Sequence, residues 1–366
     1  DQLSSSVSTQ SEVSLKTLPS LQKTPVFGAG TSSSKAVNLA NLNHHVNFLA
    51  IHSSLLYAAV GDEINVYDIT DNSLADTFND DNAKQSTGTV KSLVFAAGKI
   101  FSAHQDGKIK VWILTDQKKH KLAATLPTLE DRMRNFIFPK NYTQIRRHRK
   151  KLSIEHYDAV SSLASFPSHH SIIASVSWDR SIKIWRGEEN RCLESINRAH
   201  DDAINAVAIS REGLIYTGSA DRRIKVWKKE AKNYALIATL EKHKSAVNAL
   251  ALNPNDTVLF SGSCDRSVLV WEREDNANHM AATGALRGHT KAILCLISFN
   301  DLLMSGSADR TIRIWRRGFD GRYCWLAVLD GHQSPVKTLA AIAADGSVKI
   351  FSGGFGGEIK VWQVEV

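Results

Sequence analysis

The chain has 366 residues, with 45 Lys and Arg against 37 Asp and Glu, for a formal net charge of +8. That length can bury a substantial core, and no apolar run approaches the roughly 20 residues that a membrane-spanning helix needs. Only four cysteines occur (Cys192, Cys264, Cys295 and Cys324), none closely paired, so neither a disulfide framework nor a metal site is expected and a reducing compartment is.

In chain order, residues 1–43 are rich in Ser and Thr and poor in aromatics, the composition of a flexible segment. No stretch there couples a charged head to an apolar centre, so no secretory signal is expected, and a chain that starts on Asp1 leaves its extreme N-terminus open. Within the segment Val13–Leu18 alternates well enough for a short strand. Short strands bounded by turn residues then read at Val46–Ile51, Leu55–Val60, Ile64–Ile69 and near Leu74–Phe78. A second unit runs through Val90–Phe95, Lys99–Ala103, Lys108–Ile113 and Lys121–Leu126. Tyr67 stands 45 residues before Trp112, but Trp112 to Trp185 spans 73, and the excess of about 29 falls at residues 128–155. The remaining units open at His156, His200, His243, His289 and His332.

The stretch Ser305–Trp315 recurs as Ser175–Trp185, Thr217–Trp227 and Ser261–Trp271, and more loosely as Ser102–Trp112 and Ser352–Trp362. From Trp185 to Trp362 the tryptophans lie 42, 44, 44 and 47 residues apart, a period that means a repeat architecture. Seven units of four short strands predict an all-β, seven-bladed propeller over residues 44–366, with four antiparallel strands per blade. A helical solenoid would need apolar patterns at helical spacing, which the units lack. In Ile182–Trp185 the alternation puts Lys183 on a packed face, its stem expected over apolar surface with the amine in water. The chain ends shortly after Trp362, so the last blade is expected to take its outer strand from the N-terminal side. Val13–Leu18 is the first candidate, because its SLKTL resembles LAATL at 122–126 and LIATL at 236–240; Ala36–Leu42 is the alternative.

A His opening the unit, Ser-Gly-Ser-x-Asp in its middle and Trp closing it resemble the WD-repeat family over residues 44–366, although Arg or Lys replaces the usual Asp after Trp. More narrowly, Phe138–Ala164 is similar to plant Jingubang-type WD-repeat proteins. The resemblance implies a plant regulator of cytosol and nucleus that holds a partner such as a transcription factor or signalling protein.

Four polar sets repeat: His156, Ser175, Asp179 and Trp185; His200, Thr217, Asp221 and Trp227; His243, Ser261, Asp265 and Trp271; His289, Ser305, Asp309 and Trp315. Asp, His and Ser together are the parts of a hydrolase, but an active site does not repeat with the period of its scaffold. The resemblance instead implies a buried hydrogen-bond chain within each blade. Blade one lacks the Asp and the Trp, blade two lacks a His at the matching place, and blade seven carries Gly356 in place of Asp. These three blades are expected to rely more on packing.

Departures from the repeat are where a partner would be met. Arg180, Arg222, Arg266 and Arg310 follow the turn aspartates and read either as solvated or salt-bridged turns, or as a guanidinium ring for an acidic or phosphorylated partner. Trp178 and Phe355 stand where other repeats carry Ala or Cys, and read either as interface anchors or as packing for the insert. Residues 128–155 hold eight Lys and Arg against three Asp and Glu, including Arg146, Arg147, Arg149, Lys150 and Lys151. That run reads as a docking or solvated loop, a nuclear address or a phosphate contact, and it is expected on the same face as the four arginines.

Three other motifs fall away. Gly353–Gly357 lacks the Lys of a phosphate loop. Arg316-Arg317-Gly318 resembles a phosphoinositide-binding motif but follows the blade Trp, and no Trp-Asp-x-Arg of ligase-adaptor propellers is present. The resulting expectation is a non-catalytic, cofactor-free, monomeric interaction scaffold for a protein or peptide, in cytoplasm or nucleus and without membrane insertion. The alternative is a nucleic-acid-associated propeller that grips phosphates through the insert.

Overall fold

The structure is a computed structural model and describes residues 18–23, 37–79, 88–146, 149–273, 280–318, 320–344 and 346–365. Seven antiparallel sheets follow one another along the chain, six with their four antiparallel strands in sequential order from an inner to an outer position and the last completed by a strand from the N-terminal side. Apolar residues on both faces of each sheet, such as Leu303 and Trp315 on one side and Met304 and Ile314 on the other, are buried against the neighbouring sheets. The seven inner strands begin at Val46, Val90, Val160, Ile204, Val247, Ile293 and Val336, and each contacts the next, the last against the first. The chain therefore folds as a closed seven-bladed propeller of four antiparallel strands per blade.

The glycine that follows the first serine of the repeat is set by the distance between blades. A Cβ on Gly262 would lie 2.5 Å from Ile293 Cγ2, and one on Gly353 would lie 2.5 Å from Val46 Cγ1. In each case the side chain that opens the next inner strand occupies the space, so only Gly admits the approach.

The N-terminal side closes the ring. Val37–Asn41 pairs antiparallel with Glu358–Glu365, the last strand, with Val37 opposite Val361 and Asn41 opposite Glu358. The closing strand therefore falls within the alternative, Ala36–Leu42, and the outer position on the last blade is already filled. Of Val13–Leu18, residues 13–17 lie outside the described residues. Leu18 is buried beside Tyr216, Leu259, Trp271 and Met280, on blades four and five. Pro19 O accepts from Ala285 N, Arg287 Nη2 donates to Leu18 O, and Gln22–Lys23 adds in parallel to the outer edge of Tyr323–Leu329. This segment latches the rims of blades five and six before the chain closes blade seven.

The amine of Lys183 is not in water. The residue is fully buried, and its Nζ donates to Ser153 O and, at 2.8 Å, to Ser195 Oγ. Lys225 Nζ and Lys360 Nζ likewise donate to Ala199 O and Gly331 O at 2.7 and 2.6 Å. The backbone carbonyls just ahead of the blade histidines outcompete solvent because they point into the blade where the ammonium ends.

Deleting residues 1–42 removes both the rim latch and the closing strand and leaves the edge of the last strand unpaired. The expected outcome is a lower thermal midpoint and concentration-dependent association, read by calorimetry and by light scattering. An unchanged midpoint in a monodisperse protein would contradict closure by Val37–Asn41.

Candidate interaction surface

In blades three to six each repeated polar set forms one directed chain. Trp185 Nε1 donates to Ser175 Oγ at 2.8 Å, Ser175 bonds His156 Nε2 at 2.8 Å, and His156 Nδ1 meets Asp179 Oδ2 at 3.0 Å. Indole can only donate and an ionised carboxylate can only accept, so the polarity runs from Trp to Asp. The same three contacts measure 3.0, 2.8 and 2.8 Å in blade four, 2.8, 2.7 and 2.8 Å in blade five, and 3.2, 2.9 and 2.8 Å in blade six. Each aspartate also accepts from the backbone N–H after the histidine, as Asp179 does from Tyr157 at 3.0 Å. The network thus fastens the loop entering a blade to the turn between its second and third strands. Its hydroxyls, on Ser175, Thr217, Ser261 and Ser305, are fully buried.

Burial pushes the Asp221 carboxyl upward, but the hydrogen bond and charge of His200 and two backbone N–H groups outweigh it and hold the group at about 2. Asp309 is likewise held at about 2, burial being overcome by Thr311, His289 and the N–H of Thr290. Asp179 and Asp265 are lowered further by the same kind of balance. Burial lowers His156, His289 and His332 against the opposing pull of their carboxylates.

Two histidine sets escape the repeat. In blade seven the position of the aspartate is Gly356, but Glu358 Oε1 lies 2.9 Å from His332 Nδ1 and accepts from the N–H of Gln333 at 2.9 Å. His332 Nε2 and Trp362 Nε1 each lie 2.7 Å from Ser352 Oγ, so a carboxylate two residues late stands in for the aspartate, as a close charge contact and not as an aligned hydrogen bond. In blade two the histidine comes from the strand itself: His104 Nε2 lies 2.8 Å from Ser102 Oγ, which accepts from Trp112 at 2.8 Å. Burial and then Lys110 push His104 down to about 3, so it is neutral. Blade one has Ala58 and Tyr67 in place of a network and packs against Phe351, Ile359 and Val361 of blade seven.

The turn arginines all have left-handed backbones, with φ of 68° at Arg180, 74° at Arg222, 72° at Arg266 and 74° at Arg310. Gly107 stands in that conformation in blade two and Gly357 in blade seven, φ 84° and 83°. An arginine there costs about 1–2 kcal/mol that glycine avoids. Arg222, Arg266 and Arg310 are exposed and Arg180 is half-buried. Among the described residues none of the four makes an ion pair; the salt bridges at the blade-four turn belong instead to Arg223, with Asp201 at 2.7 Å and Glu241 at 2.6 Å. Trp178 is exposed at the blade-three turn with Lys91 Nζ 5.7 Å from its ring centroid. Phe355, half-buried at the blade-seven turn, lies beside Lys337 Nζ at 6.0 Å and edge-on to His45 at 5.4 Å. Among the described residues neither aromatic ring stacks on a ring or cation of the insert.

The insert does not stay on the face of these turns. It contains α1 (Leu129–Phe136), a short 3-10 turn and a hairpin of Tyr142–Arg146 with Arg149–Leu152. Thr128 caps α1 by accepting from Asp131 N at 3.2 Å. Asp131 is buried and accepts from Cys192 N at 2.8 Å, near the far end of the outer strand Arg191–Ile196 of blade three. Ser153 O receives Lys183 Nζ and Ser195 Oγ near the turn end of the same blade. The insert therefore runs down the rim of blade three and back. Lys150 is exposed, Lys151 is half-buried, Arg146 and Arg149 are backbone partners in the hairpin register, and Arg147 lies outside the described residues.

One feature of the insert was missed by weighing its charge alone. Leu129, Met133, Phe136 and Ile137 recur at i, i+4, i+7 and i+8 and share one side of the helix. They are 77, 72, 68 and 74% exposed, while the opposite side carries Asp131 to blade three and Arg132 to Glu155 at 2.5 Å. Phe138 follows at 50% exposure. Contiguous exposed apolar surface of this kind stands out against the polar rim around it. Among the described residues no cluster of metal-ligating side chains occurs, and no helix is long and apolar enough to cross a membrane.

A family model described as WD domain, G-beta repeat, matches residues 149–186, 190–228, 234–272, 281–316 and 324–363, more than half of the chain. The matched units are blades three to seven, the five in which a carboxylate faces the blade histidine. The chain is 35% identical over 103 residues to the fruit-fly Small ribosomal subunit protein RACK1, covering 27% of this chain and 31% of that one. It is also 35% identical over 102 residues to fruit-fly Protein Notchless, covering 27% of this chain and 20% of that one. The chain thus spans less than a third of the length of either relative.

Replacing Glu358 by Ala strips His332 of its carboxylate while Ser352 still holds the ring, with an expected loss of about 1–3 kcal/mol in denaturant unfolding. Asp265→Ala is expected to fall in the same range, and wild-type stability in both would remove the network from the account. The depressed histidines prefer to be neutral when folded, so the unfolded chain binds more protons below its ordinary histidine pKa near 6.5. Stability is expected to be flat from about pH 7 to 8, to fall as pH drops below about 6.5, and to fall again between about pH 4 and 2 as the carboxylates protonate. A profile that rises on acidification would contradict this sign.

Proposed function

The chain belongs to the WD40-repeat family, whose propellers are typically protein-interaction scaffolds, and on that premise we propose that it is a non-catalytic platform that docks a protein partner on the blade-three insert. The apolar ridge of α1 carries this reading. Four large side chains at helical spacing stay in water although the same helix is fixed to the rim by its polar side. Covering them yields about 25 cal/mol for each Å² of apolar surface removed from water, and aromatic and aliphatic anchors of this kind dominate interface energies. The hairpin beside the ridge, with Lys150 exposed, favours a partner that sets acidic residues around its own apolar contact.

The turn arginines, Trp178 and Phe355 supply a second contact zone on the face of the ring. Arginine held in a strained backbone where glycine serves two other blades supports a role outside the fold. The likeness of Phe138–Ala164 to Jingubang-type proteins supports a plant regulator whose partner is a transcription factor or signalling protein met in cytosol or nucleus. Phosphate binding by the insert is the rival reading, but the ridge gives a nucleic acid little to stack on beyond Phe136 and Tyr142.

The test compares affinity capture by the wild type, by the triple variant Met133→Ser, Phe136→Ser and Ile137→Ser, and by a variant with residues 146–151 replaced by Ser and Gly. The ridge variant is expected to keep its thermal midpoint within about 2 °C, since exposed substitutions usually stay within about 0.5 kcal/mol. It should lose the partner by about tenfold or more. An identical set of partners in all three proteins would overturn the proposal. Binding that falls with salt at a log-log slope of about −0.9 per phosphate would favour the nucleic-acid reading instead.

A further inference from the structure

Each inner strand starts with a bulge, and the bulged residues are Asn47, Lys91, Ser161, Asn205, Asn248, Leu294 and Lys337. They form a ring at the turn-side mouth of the central channel. Where their partners are fixed, the side chain donates to the carbonyl that opens the next inner strand. Ser161 bonds Ile204 O, Asn205 bonds Val247 O at 3.0 Å, and Asn248 bonds Ile293 O at 2.9 Å. From blade three to blade six the ring is closed by its own hydrogen bonds.

The other arc, over blades seven, one and two, is built differently. Lys337, Asn47 and Lys91 occupy the three consecutive bulges, and among the described residues none of them makes that bond. Asn47 is only 7% exposed, yet its Nδ2 has no hydrogen-bond partner. A buried amide donor left unpaired costs about 1–3 kcal/mol. Neither ammonium has a carboxylate or carbonyl partner among the described residues; each lies beside an aromatic ring, Phe355 for Lys337 and Trp178 for Lys91, and Lys337 is also near the Cys295 thiol. Burial and then the charge of Lys337 lower the Lys91 pKa, and burial lowers that of Lys337, so both ammonium groups are short of a counter-charge. Of the aspartates on this face, Asp179, Asp221, Asp265 and Asp309 are spent on histidines, Asp158 and Asp202 on the N–H groups of Ala159 and Ala203, and Asp106 on Lys108, while Asp62 is exposed at the blade-one turn.

We propose that Lys91, Lys337 and Asn47 form an oxyanion-binding site at the mouth of the channel, taking a carboxylate or phosphoryl group borne by a peptide seated between Trp178 and Phe355. Two ammonium groups supply charge, the Asn47 amide supplies a directed donor, and the two rings supply apolar walls for the residues on either side of the anion. A carboxylate or phosphate oxygen satisfies at once the orphaned donor and the mutual repulsion, which no described residue of this chain does. The four turn arginines extend the same sign of charge around the face. The peptide carrier rests on the scaffold reading given above; the site itself does not.

The test uses the full chain with two probes. The first is inorganic phosphate, scored as a rise in thermal midpoint over sodium chloride of equal ionic strength. The second is a set of labelled nine-residue peptides that differ only at a central Glu, phosphoserine, Gln or Lys. The wild type is expected to be protected by phosphate and to bind the Glu or phosphoserine peptide at least tenfold more tightly than the Gln and Lys peptides. The order of Glu and phosphoserine tells which oxyanion is carried. Lys91→Met and Lys337→Met are each expected to abolish both effects while folding at least as well as the wild type, because each relieves the repulsion. Asn47→Asp places a carboxylate between the two cations. It is expected to raise the midpoint without phosphate and to abolish phosphate protection. Absence of phosphate protection in the wild type, or protection retained in Asn47→Asp and both Lys variants, would overturn the site. Phosphate protection with no preference among the peptides would overturn the peptide carrier and leave the ridge of α1 to be judged by its own capture experiment.

Discussion

A histidine with no access to water, bonded on one side to a carboxylate and on the other to a hydroxyl, is the contact on which most of this ring depends. It joins two pieces of backbone that are distant in sequence: the loop that enters a blade and the turn between its second and third strands. Because Trp ends the chain as a pure donor and Asp as a pure acceptor, every proton has one place to go. Lys183, Lys225 and Lys360 reinforce the same loop from beneath by donating to carbonyls one to three residues ahead of the histidine. Once the loop and the turn are fixed, the inner strand that follows must start at one height. The glycine of the repeat then lets the next blade's opening side chain come against it.

The architecture was legible in the sequence because it is written several times. Four copies of His, Ser or Thr, Asp and Trp at a steady period fix strand number, blade number and face together, and a single copy would have read as a hydrolase. What the repeat does not cover was harder. Glu358 lies two positions beyond where an aspartate is sought, and only the reach of its longer side chain brings it to His332. His104 sits two residues from its serine on the same strand, so alternation, not spacing, brings them together. The closing strand was misplaced for a related reason: SLKTL matched the pattern of an outer strand, but pattern does not say which of two N-terminal segments reaches the last blade.

The insert shows how a dominant signal hides a weaker one. Its run of cations drew attention, while Leu129, Met133, Phe136 and Ile137 repeat at helical spacing only over nine residues. Its place on the molecule was also not readable from connectivity. Entering and leaving at the turn face, it was expected to remain there. Asp131 instead carries α1 down the rim to the backbone of Cys192, a contact made by one buried carboxylate that burial itself pushes toward its neutral form. That carboxylate holds its place because Thr128 and the helix start position it, with the Cys192 N–H ahead of it.

Regularity and function are divided around the ring. Blades four, five and six carry complete histidine chains, and their bulges bond forward or are filled by Leu294; nearly all their polar groups at the channel mouth are spent on structure. Blades seven, one and two are the irregular ones: a glutamate from the wrong position, no network at all, and a histidine from the strand. They are also the blades whose bulges are Lys337, Asn47 and Lys91 and which bring Phe355, directly, and Trp178, from blade three, to the same arc. Relaxing the repeat in consecutive blades releases a run of positions from the bonding pattern that would otherwise consume them. The strain is tolerable because the closing strand Val37–Asn41 and the packing of blade one on blade seven bind that arc from outside. An unpaired buried donor and two neighbouring ammonium groups are poor choices for stability alone, and their concentration on the least regular third of the ring is what a site prepared for an anion requires.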